Sequence, residues 1–375
     1  MLLSLFCGAG GLDLGFEDVG FEIGLAFDKK LDSVKSYNHN RHSETAHCRD
    51  VRELNLGELD KLWGSEFRPE GVIGGPPCQS FSQANRSVTE KDPRHTLPLV
   101  YADLLTSLNA RSPLKFFVLE NVPGLESSRH IHRLLELEER LGQAGFVVYR
   151  KILNAFTFST PQLRERLFLV GLNKQLVDHK SWDWPSPCSN DKAPKTVRDA
   201  IGMLPAPTYF DQALTAEKIA YHRNHWCMRP KSVKFRTEGA LVPGNANHRS
   251  FKTLSWDKPS ITVAYGNREV HIHPSCHRRL SVFEGMLLQG FPRNYELVGS
   301  LSSQIAQVSE AVPPPLAKAV AGALVKLQPV SMQLEQQRLE LASKLPSLAA
   351  AHAAQAKPSI PSNRNWRRIE EIQSR

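Results

Sequence analysis

The chain has 375 residues, which is long enough for two compact domains. Hydrophobic residues make up 41% and charged residues 23% of it, as in an ordinary soluble enzyme, and no apolar run has the length of a membrane span. The formal net charge of +9 favours an acidic partner such as nucleic acid. Six cysteines, with no CxxC pair and no secretory signal, argue against a disulfide scaffold and predict free thiols in a reducing, cytoplasmic setting.

The first half of the chain alternates short apolar runs with helical patterns. The apolar runs predict strands, at residues 2–6, 21–27, 71–73, 115–119, 146–154 and 167–172. Apolar residues at helical spacing predict a helix over 131–143, and 12–19 can open another. This alternation indicates an α/β fold, in which helices cover both faces of a doubly wound, mostly parallel sheet.

The second half has a different texture. Residues 176–275 are rich in proline, histidine, arginine and tryptophan and predict a loop-rich unit, whereas 315–327 return to a helical pattern. The Gln-, Glu- and Ala-rich end predicts a peripheral helix and a flexible tail. We therefore predict three parts, which are a main domain of residues 1–175 completed by 295–328, a smaller domain of residues 176–294, and a tail of residues 329–375.

A glycine cluster, Phe6-Cys7-Gly8-Ala9-Gly10-Gly11, follows the first predicted strand. Glycines at such a turn let the backbone approach a ligand, and the acid Asp28 ends the next strand, where a ribose is usually held. Asp13 stands where a dinucleotide site would have its third glycine. The pattern predicts an adenosine-type cofactor, and a simple tight turn is the alternative.

The segment Gly74-Gly75-Pro76-Pro77-Cys78-Gln79-Ser80-Phe81-Ser82 follows another predicted strand. Two prolines after two glycines make a stiff loop that projects a thiol at the edge of the sheet, which is where a nucleophile would sit. Most cysteines are small core residues, and that is the competing interpretation of Cys78.

Two further motifs carry ionisable groups. Glu120 follows the apolar run FFVL, so we expect it at the same sheet edge and not on the surface. In the segment 162–166, alternation puts Gln162, Arg164 and Arg166 on one face, where two guanidinium groups suit a phosphate or carboxylate. The alternative for these arginines is a solvated strand edge.

In this order the motifs resemble the cytosine-5 DNA methyltransferase family of bacterial or phage type. FCGAGG resembles its first cofactor motif, GGPPCQSFS its nucleophile loop, ENV its glutamate motif and QLRERLFLVG its arginine motif. Residues 278–292 and 307–314 resemble its ninth and tenth motifs, so the resemblance covers roughly 1–328. It implies a Rossmann-like, S-adenosylmethionine-dependent methyltransferase domain with a smaller target-recognition domain.

The resemblance implies roles for individual residues. It makes S-adenosyl-L-methionine the cofactor, with Asp28 on the ribose and Asp50 on the adenine amino group. The cofactor-binding residues it implies are Phe6, Gly8, Ala9, Gly10, Gly11, Asp28, Asp50, Val51, Pro77, Leu97, Glu310 and Val312. Three departures stand out: Ser309-Glu310 replace the usual Gly-Asn, and Phe283 and Leu287 each replace an arginine. The first departure falls on the cofactor wall, while the other two positions are largely structural.

The implied chemistry begins with addition of the Cys78 thiolate to carbon 6 of a cytosine. Glu120 would bond N3 and the exocyclic amine, Arg164 the base carbonyl, and Arg166 would brace the loop or a phosphate. The target carbon is inaccessible in a stacked duplex, so the base must flip out. The DNA-contacting residues we expect are Gln79, Ser80, Ser82, Arg223, Arg229, Lys231, Arg236 and Arg249.

Other interpretations remain open at this stage. The same chemistry on RNA, or an inactive DNA-binding relative, would fit most of the motifs, whereas a nicotinamide dehydrogenase would leave GPPCQ unexplained. The cluster 271–277 (HIHPSCH) has metal-ligating residue types, but its spacing matches no standard zinc pattern, so we predict no metal. We expect a cytoplasmic monomer that acts on double-stranded DNA away from membranes, with a companion restriction endonuclease as a possible partner.

Overall fold

The computed structural model describes residues 1–77, 96–188, 195–245, 251–263, 270–327 and 329–330. Met1–Leu327 form one compact unit, and Gln328–Arg375 form a second. The predicted helix and tail in 329–375 lie outside the described residues except for Pro329 and Val330. Of the helices in the described ranges, none combines the length and the apolar character required to cross a membrane.

Eleven strands and nine α-helices are present in the described ranges, together with short 3-10 helices. The strands are β1 (Leu2–Leu5), β2 (Ile23–Asp28), β3 (Ala46–Cys48), β4 (Gly71–Gly74), β5 (Phe116–Asn121), β6 (Phe146–Asn154), β7 (Gln162–Leu163), β8 (Glu165–Asn173), β9 (Thr208–Tyr209), β10 (Trp226–Cys227) and β11 (Ser260–Ile261). The helices are α1 (Gly11–Glu17), α2 (Leu31–His39), α3 (Leu56–Trp63), α4 (Leu97–Arg111), α5 (Ile131–Gln143), α6 (Val197–Ile201), α7 (Val282–Gln289), α8 (Leu301–Glu310) and α9 (Pro314–Val325).

Seven strands form the central sheet, in the order β3-β2-β1-β4-β5-β8-β6. The first five run parallel, with Leu5 of β1 opposite both Phe27 of β2 and Gly74 of β4, and β8 runs antiparallel to both neighbours. The predicted α/β class with a mostly parallel sheet is confirmed. The strand order reverses between β1 and β4, and ligands of such sheets bind beside this point at the carboxyl ends of the strands.

Successive residues of each strand enter different hydrophobic clusters, one on each face of the sheet. One cluster contains Leu2, Ile73 and Val118 with side chains from α1, α2 and α9. The other contains Leu3, Val72 and Phe117 with side chains from α3, α4 and α5. Because side chains alternate along a strand, these short apolar runs fill both faces and give three layers.

A third hydrophobic cluster draws mainly on residues 197–311 and centres on α7, a helix in which all eight residues are buried. The region predicted to be loop-rich, 176–275, has only short elements where it is described, such as α6, β9, β10 and β11. Ala9 of the glycine cluster also belongs to this third cluster, which therefore reaches the edge of the sheet. The predicted domain boundaries remain a prediction.

Candidate active site

The glycine turn after β1 has a left-handed backbone at Phe6, Gly8 and Gly10, with φ values of 57°, 55° and 84°. The Gly8 N–H donates to Oδ2 of Asp28 at 3.0 Å, and the Lys30 N–H donates to Oδ1 at 2.8 Å. A β-carbon built on Gly8 would meet no atom of the described residues within 4 Å, so the space beside this residue is open to that extent. The turn thus presents bare backbone next to a carboxylate, and each carboxylate oxygen retains acceptor capacity.

The other side of the turn is tightly packed. A β-carbon on Gly11 would lie 2.4 Å from the carbonyl oxygen of Val312, and one on Gly10 would lie 3.0 Å from the ring of Tyr37. The Tyr295 hydroxyl donates to the carbonyl of Ala9, whose side chain is buried. Segments that are almost 300 residues away along the chain therefore fix the shape of the turn.

Three other predicted cofactor residues lie on neighbouring elements. Asp50 caps a short 3-10 helix, Val51–Glu53, and its carboxylate accepts from the backbone N–H and the guanidinium of Arg52. Hydrogen bonding to Arg52 lowers the pKa of Asp50 to about 2, so this carboxylate is ionised at neutral pH. Val51 and Leu97 are buried in the core, and Leu97 opens α4.

The segment that leads to the predicted nucleophile is anchored on β5. The side-chain amide of Asn121 donates to the carbonyl of Pro76 at 3.3 Å, and a β-carbon on Gly75 would lie 3.0 Å from Oε2 of Glu120. Pro77 is partly buried and is the last residue described before the gap. The predicted nucleophile and its neighbours lie outside the described residues, namely Cys78, Gln79, Ser80 and Ser82.

Glu120 is buried beside Arg166, as its position after an apolar strand predicts. The Arg166 Nε lies 2.8 Å from Oε1 of Glu120, and both side chains are close to nine-tenths buried. Burial raises the pKa of Glu120, while the charges of Arg166 and Arg164 oppose the rise only in part. The carboxyl can therefore hold its proton at a higher pH than an exposed glutamate can.

Arg164 is fully buried and donates to three backbone carbonyls. Its Nη1 donates to the carbonyl of Val263 at 3.2 Å, and its Nη2 donates to those of Ser309 at 2.9 Å and Ala311 at 3.0 Å. The predicted contact of this guanidinium with a base carbonyl stays a prediction. Here Arg164 joins the end of α8 to the segment that follows β11.

The alternation predicted for 162–166 is present, since Gln162 and Arg164 are fully buried while Leu163 is exposed. Gln162 donates to Gln289 at 2.7 Å and accepts from the Val263 N–H at 3.0 Å. Gln289 in turn donates to the carbonyl of Ala311 at 2.6 Å. This buried polar network was not predicted, because most of its acceptors are backbone carbonyls about 100 or more residues away.

Glu310 and Val312, two of the predicted cofactor-binding residues, lie at the end of α8 and two residues beyond it. The Glu310 carboxylate pairs with Lys30, which follows Asp28 by two residues. Val312 is buried and approaches Gly11 through its carbonyl. Residues 310–312 thus face the turn and strand end that carry Gly11 and Asp28.

The basic residues predicted to contact DNA are exposed where they are described. Arg229 lies over the ring of Tyr209 at 5.4 Å, and Arg223 lies 3.6 Å from Glu296. Lys231 and Arg236 are exposed, and Arg249 lies outside the described residues. Their roles in DNA contact stay predictions.

Phe283 and Leu287 are core residues of α7, which agrees with a structural role for these two departures from the family pattern. Phe283 is fully buried and stacks on His222 with ring centroids 3.9 Å apart.

The buried histidines of the segment 271–277 take part in ordinary core contacts. The ring of His271 hydrogen-bonds the carbonyl of Thr262, and burial lowers the pKa of His271 to about 4. In the described ranges no three His, Cys, Asp or Glu side chains are grouped as a metal site would require.

Comparison with known proteins gives a consistent result. Residues 1–326 match the family model of C-5 cytosine-specific DNA methylases. The Type II methyltransferase M.FnuDI of Fusobacterium nucleatum is 32% identical over 341 residues, covering 85% of this chain and 92% of that protein. M.NmeDI of Neisseria meningitidis serogroup C is 30% identical over 353 residues, covering 86% and 82%. A solved structure assigned as a DNA modification methyltransferase from an E. coli prophage shares the fold, with a TM-score of 0.70 at 22% identity and coverage of 86% and 98%.

Proposed function

Since the chain belongs to the C-5 cytosine-specific DNA methylase family, and is a DNA (cytosine-5-)-methyltransferase, we propose that it methylates a flipped cytosine through a covalent bond to Cys78. The observation that carries the proposal is the anchoring of the Pro76 carbonyl by Asn121, directly beside Glu120. Cys78 follows Pro76 by two residues, so chain connectivity keeps it within about 7 Å of that residue along the backbone. We propose on this basis that Cys78 and the buried acid Glu120 belong to one site.

Family membership implies S-adenosylmethionine as methyl donor, and the residues of the glycine turn fit it. Open space beside Gly8 gives an adenosine-type ligand access to the backbone, and Asp28 can still accept from ribose hydroxyls. Val312 closes the opposite side of the turn against Gly11. We propose that Asp50 receives the adenine amino group. When bound, the cofactor supplies an electrophilic methyl group on a sulfonium.

Cys78 provides the electrons that carbon 5 of cytosine lacks. Its thiolate adds to carbon 6, and the resulting enamine makes carbon 5 a nucleophile towards the methyl group. The proton on carbon 5 then leaves to water, and the carbon–sulfur bond breaks to restore the thiolate and the double bond. No side chain is assigned as the base for this last step.

Glu120 and Arg166 support the same reaction. Because burial raises the pKa of Glu120, its carboxyl can donate a proton to N3 as negative charge develops on the ring. The Nε of Arg166 holds that carboxyl at 2.8 Å and so fixes its orientation. Arg164 supports the site indirectly. It holds the carbonyls of Ser309 and Ala311, which lie on either side of the predicted cofactor-binding residue Glu310.

Duplex DNA must release its target base, because carbon 6 is stacked between neighbouring pairs. We propose that residues 176–294 read a short recognition sequence, with exposed Arg223 and Arg229 among the contacts. The relatives are Type II methyltransferases, so a companion restriction endonuclease is the partner we propose. We propose that the enzyme acts as a monomer.

Trapping on DNA that contains 5-fluorocytosine tests the covalent step. Carbon 5 of that base carries no proton to lose, so the wild-type enzyme stalls as an adduct that survives denaturation. We expect Cys78→Ser to give no adduct and no methylation, whereas Cys188→Ser, at an exposed cysteine, behaves as wild type. Full methylation by the Cys78→Ser variant would refute the proposal.

Substrate choice is tested by offering duplex DNA and transfer RNA in parallel with labelled S-adenosylmethionine. We expect label in DNA alone, and label only in RNA would replace DNA by RNA in the proposal. Bisulfite sequencing of DNA from an expressing host then gives the methylated sequence. Uniformly unmethylated host DNA and no labelled polymer would instead indicate an inactive binding protein.

A further inference from the structure

An ion pair joins two parts of the chain that are 280 residues apart. The Lys30 Nζ lies 2.6 and 2.5 Å from the two carboxylate oxygens of Glu310. Both side chains are a little under half exposed. Lys30 precedes α2, and Glu310 is the last residue of α8, so the pair connects the end of β2 with the turn between α8 and α9.

The lysine end of this pair is continuous with the proposed ribose site. The Lys30 backbone N–H donates to one oxygen of Asp28, whose other oxygen accepts from the N–H of Gly8. The glutamate end is equally well fixed, because Arg164 holds the carbonyls of the residues on both sides of Glu310. The pair therefore connects two segments, the end of β2 and the end of α8, and each of them is held in place by its own hydrogen bonds.

The charges at this edge require compensation. Glu310 stands where the family usually has a neutral asparagine, so this chain carries a second carboxylate near Asp28. Burial raises the pKa of Asp28, the charge of Glu310 raises it further, and the charge of Lys30 lowers it. Lys30 thus offsets the negative charge that Glu310 adds.

We propose that the Lys30–Glu310 ion pair is a latch that closes the edge of the S-adenosylmethionine site and slows the release of the cofactor. The latch holds the α8–α9 turn against the end of β2, next to the carboxylate proposed to bind the ribose. Lys30 and Glu310 are positioning residues in this scheme, so Glu310 acts through its ion pair and not through the direct cofactor contact that the family resemblance implies for it, and neither residue takes part in methyl transfer. The inference rests on the proposed cofactor site.

Cofactor binding without DNA tests the latch. Titration calorimetry and stopped-flow displacement give the Kd and the dissociation rate of S-adenosylmethionine for wild type, Glu310→Gln, Lys30→Met and the double variant. Exposed ion pairs are weak, so we expect binding about two- to fivefold weaker in Glu310→Gln, mainly through faster dissociation. Lys30→Met should lose more, because it leaves Glu310 uncompensated, and the double variant should resemble Glu310→Gln.

A matched ion pair on the same unit provides the control. Lys318 and Asp18 lie 3.1 Å apart with similar exposure, between α9 and the end of α1. Asp18→Asn should leave cofactor binding unchanged. We also expect the wild-type dissociation rate to approach that of Glu310→Gln at 0.5 M salt, because salt screens exposed charges.

The outcomes separate the latch from the proposed function. If both single variants had the Kd, the dissociation rate and the salt dependence of wild type, the latch would be overturned, while the proposed cofactor site would stand. A folded wild-type protein that binds no S-adenosylmethionine would overturn the cofactor site, and the latch with it. Equal losses in Asp18→Asn and Glu310→Gln would also overturn the latch, since the effect would then be general.

Discussion

Replacing Arg164 by methionine should destabilise the protein by about 3 kcal/mol. The guanidinium donates to two buried carbonyls, of Val263 and Ala311, and to the partly buried carbonyl of Ser309, and the carbonyl of Ala311 keeps its bond from Gln289. The carbonyls of Val263 and Ser309 would each lose a donor, at about 1–3 kcal/mol for each unsatisfied group. Ser309 lies in the last turn of α8, where helix carbonyls have no partner within the helix. Relief from burying a charge offsets part of this cost.

Urea unfolding followed by circular dichroism measures this change in the free energy of unfolding. Arg198→Met is the matched control, because Arg198 pairs with exposed Asp257, and we expect this variant to unfold at nearly the same urea concentration as wild type. If Arg164→Met unfolded within about 0.5 kcal/mol of wild type, the three backbone bonds would not contribute as the geometry indicates. The reasoning about the wall at 309–311 would then be wrong.

Further predictions concern pH and close packing. Glu120→Gln should slow methyl transfer by about 10²-fold or more, and the wild-type rate should fall as pH rises through the raised pKa of Glu120, which a pH–rate profile measures. Burial raises the pKa of Asp13 from 3.8 to about 6. The folded state therefore binds this proton more tightly than the unfolded state, and the resulting contribution to the free energy of unfolding is full below about pH 3.8 and is lost as pH rises through about 6. Asp13→Asn should remove about 2 kcal/mol of that dependence between unfolding experiments at pH 4 and at pH 7. Gly11→Ala should cost about 1–3 kcal/mol by clashing with Val312, whereas Gly142→Ala, in open space on α5, should stabilise by up to about 1 kcal/mol in thermal unfolding.

Much of the sheet could be predicted from the sequence because its strands are buried on both faces. The run 116–119 is continuously apolar. A charged residue directly after such a run, like Glu120, therefore indicates a functional position at the end of a buried strand. The helix predicted over 131–143 matches α5 because its apolar residues repeat at helical spacing. Local pattern is sufficient where one element packs against a uniform apolar surface.

The buried polar contacts could not be predicted in this way. Arg164 and Arg166 are both arginines on the same face of the predicted extended segment. The guanidinium of Arg164 nevertheless lies among backbone carbonyls, and that of Arg166 lies beside a carboxylate. The difference arises from where the end of α8 lies in three dimensions, and no local pattern encodes that position. The Lys30–Glu310 pair could not be predicted either, because each residue is an ordinary surface residue type within its own segment.

The contact between α1 and α9 has a consequence for how the protein is made. A β-carbon on Gly15 would lie 2.3 Å from the backbone nitrogen of Lys318, so the first helix of the chain is shaped to receive the last one in this unit. During synthesis, that surface of α1 must wait for some 300 further residues to leave the ribosome. A nascent chain that stops before α9 leaves this surface of α1 uncovered, so the unit that carries the glycine turn is completed only after α9 has been synthesised.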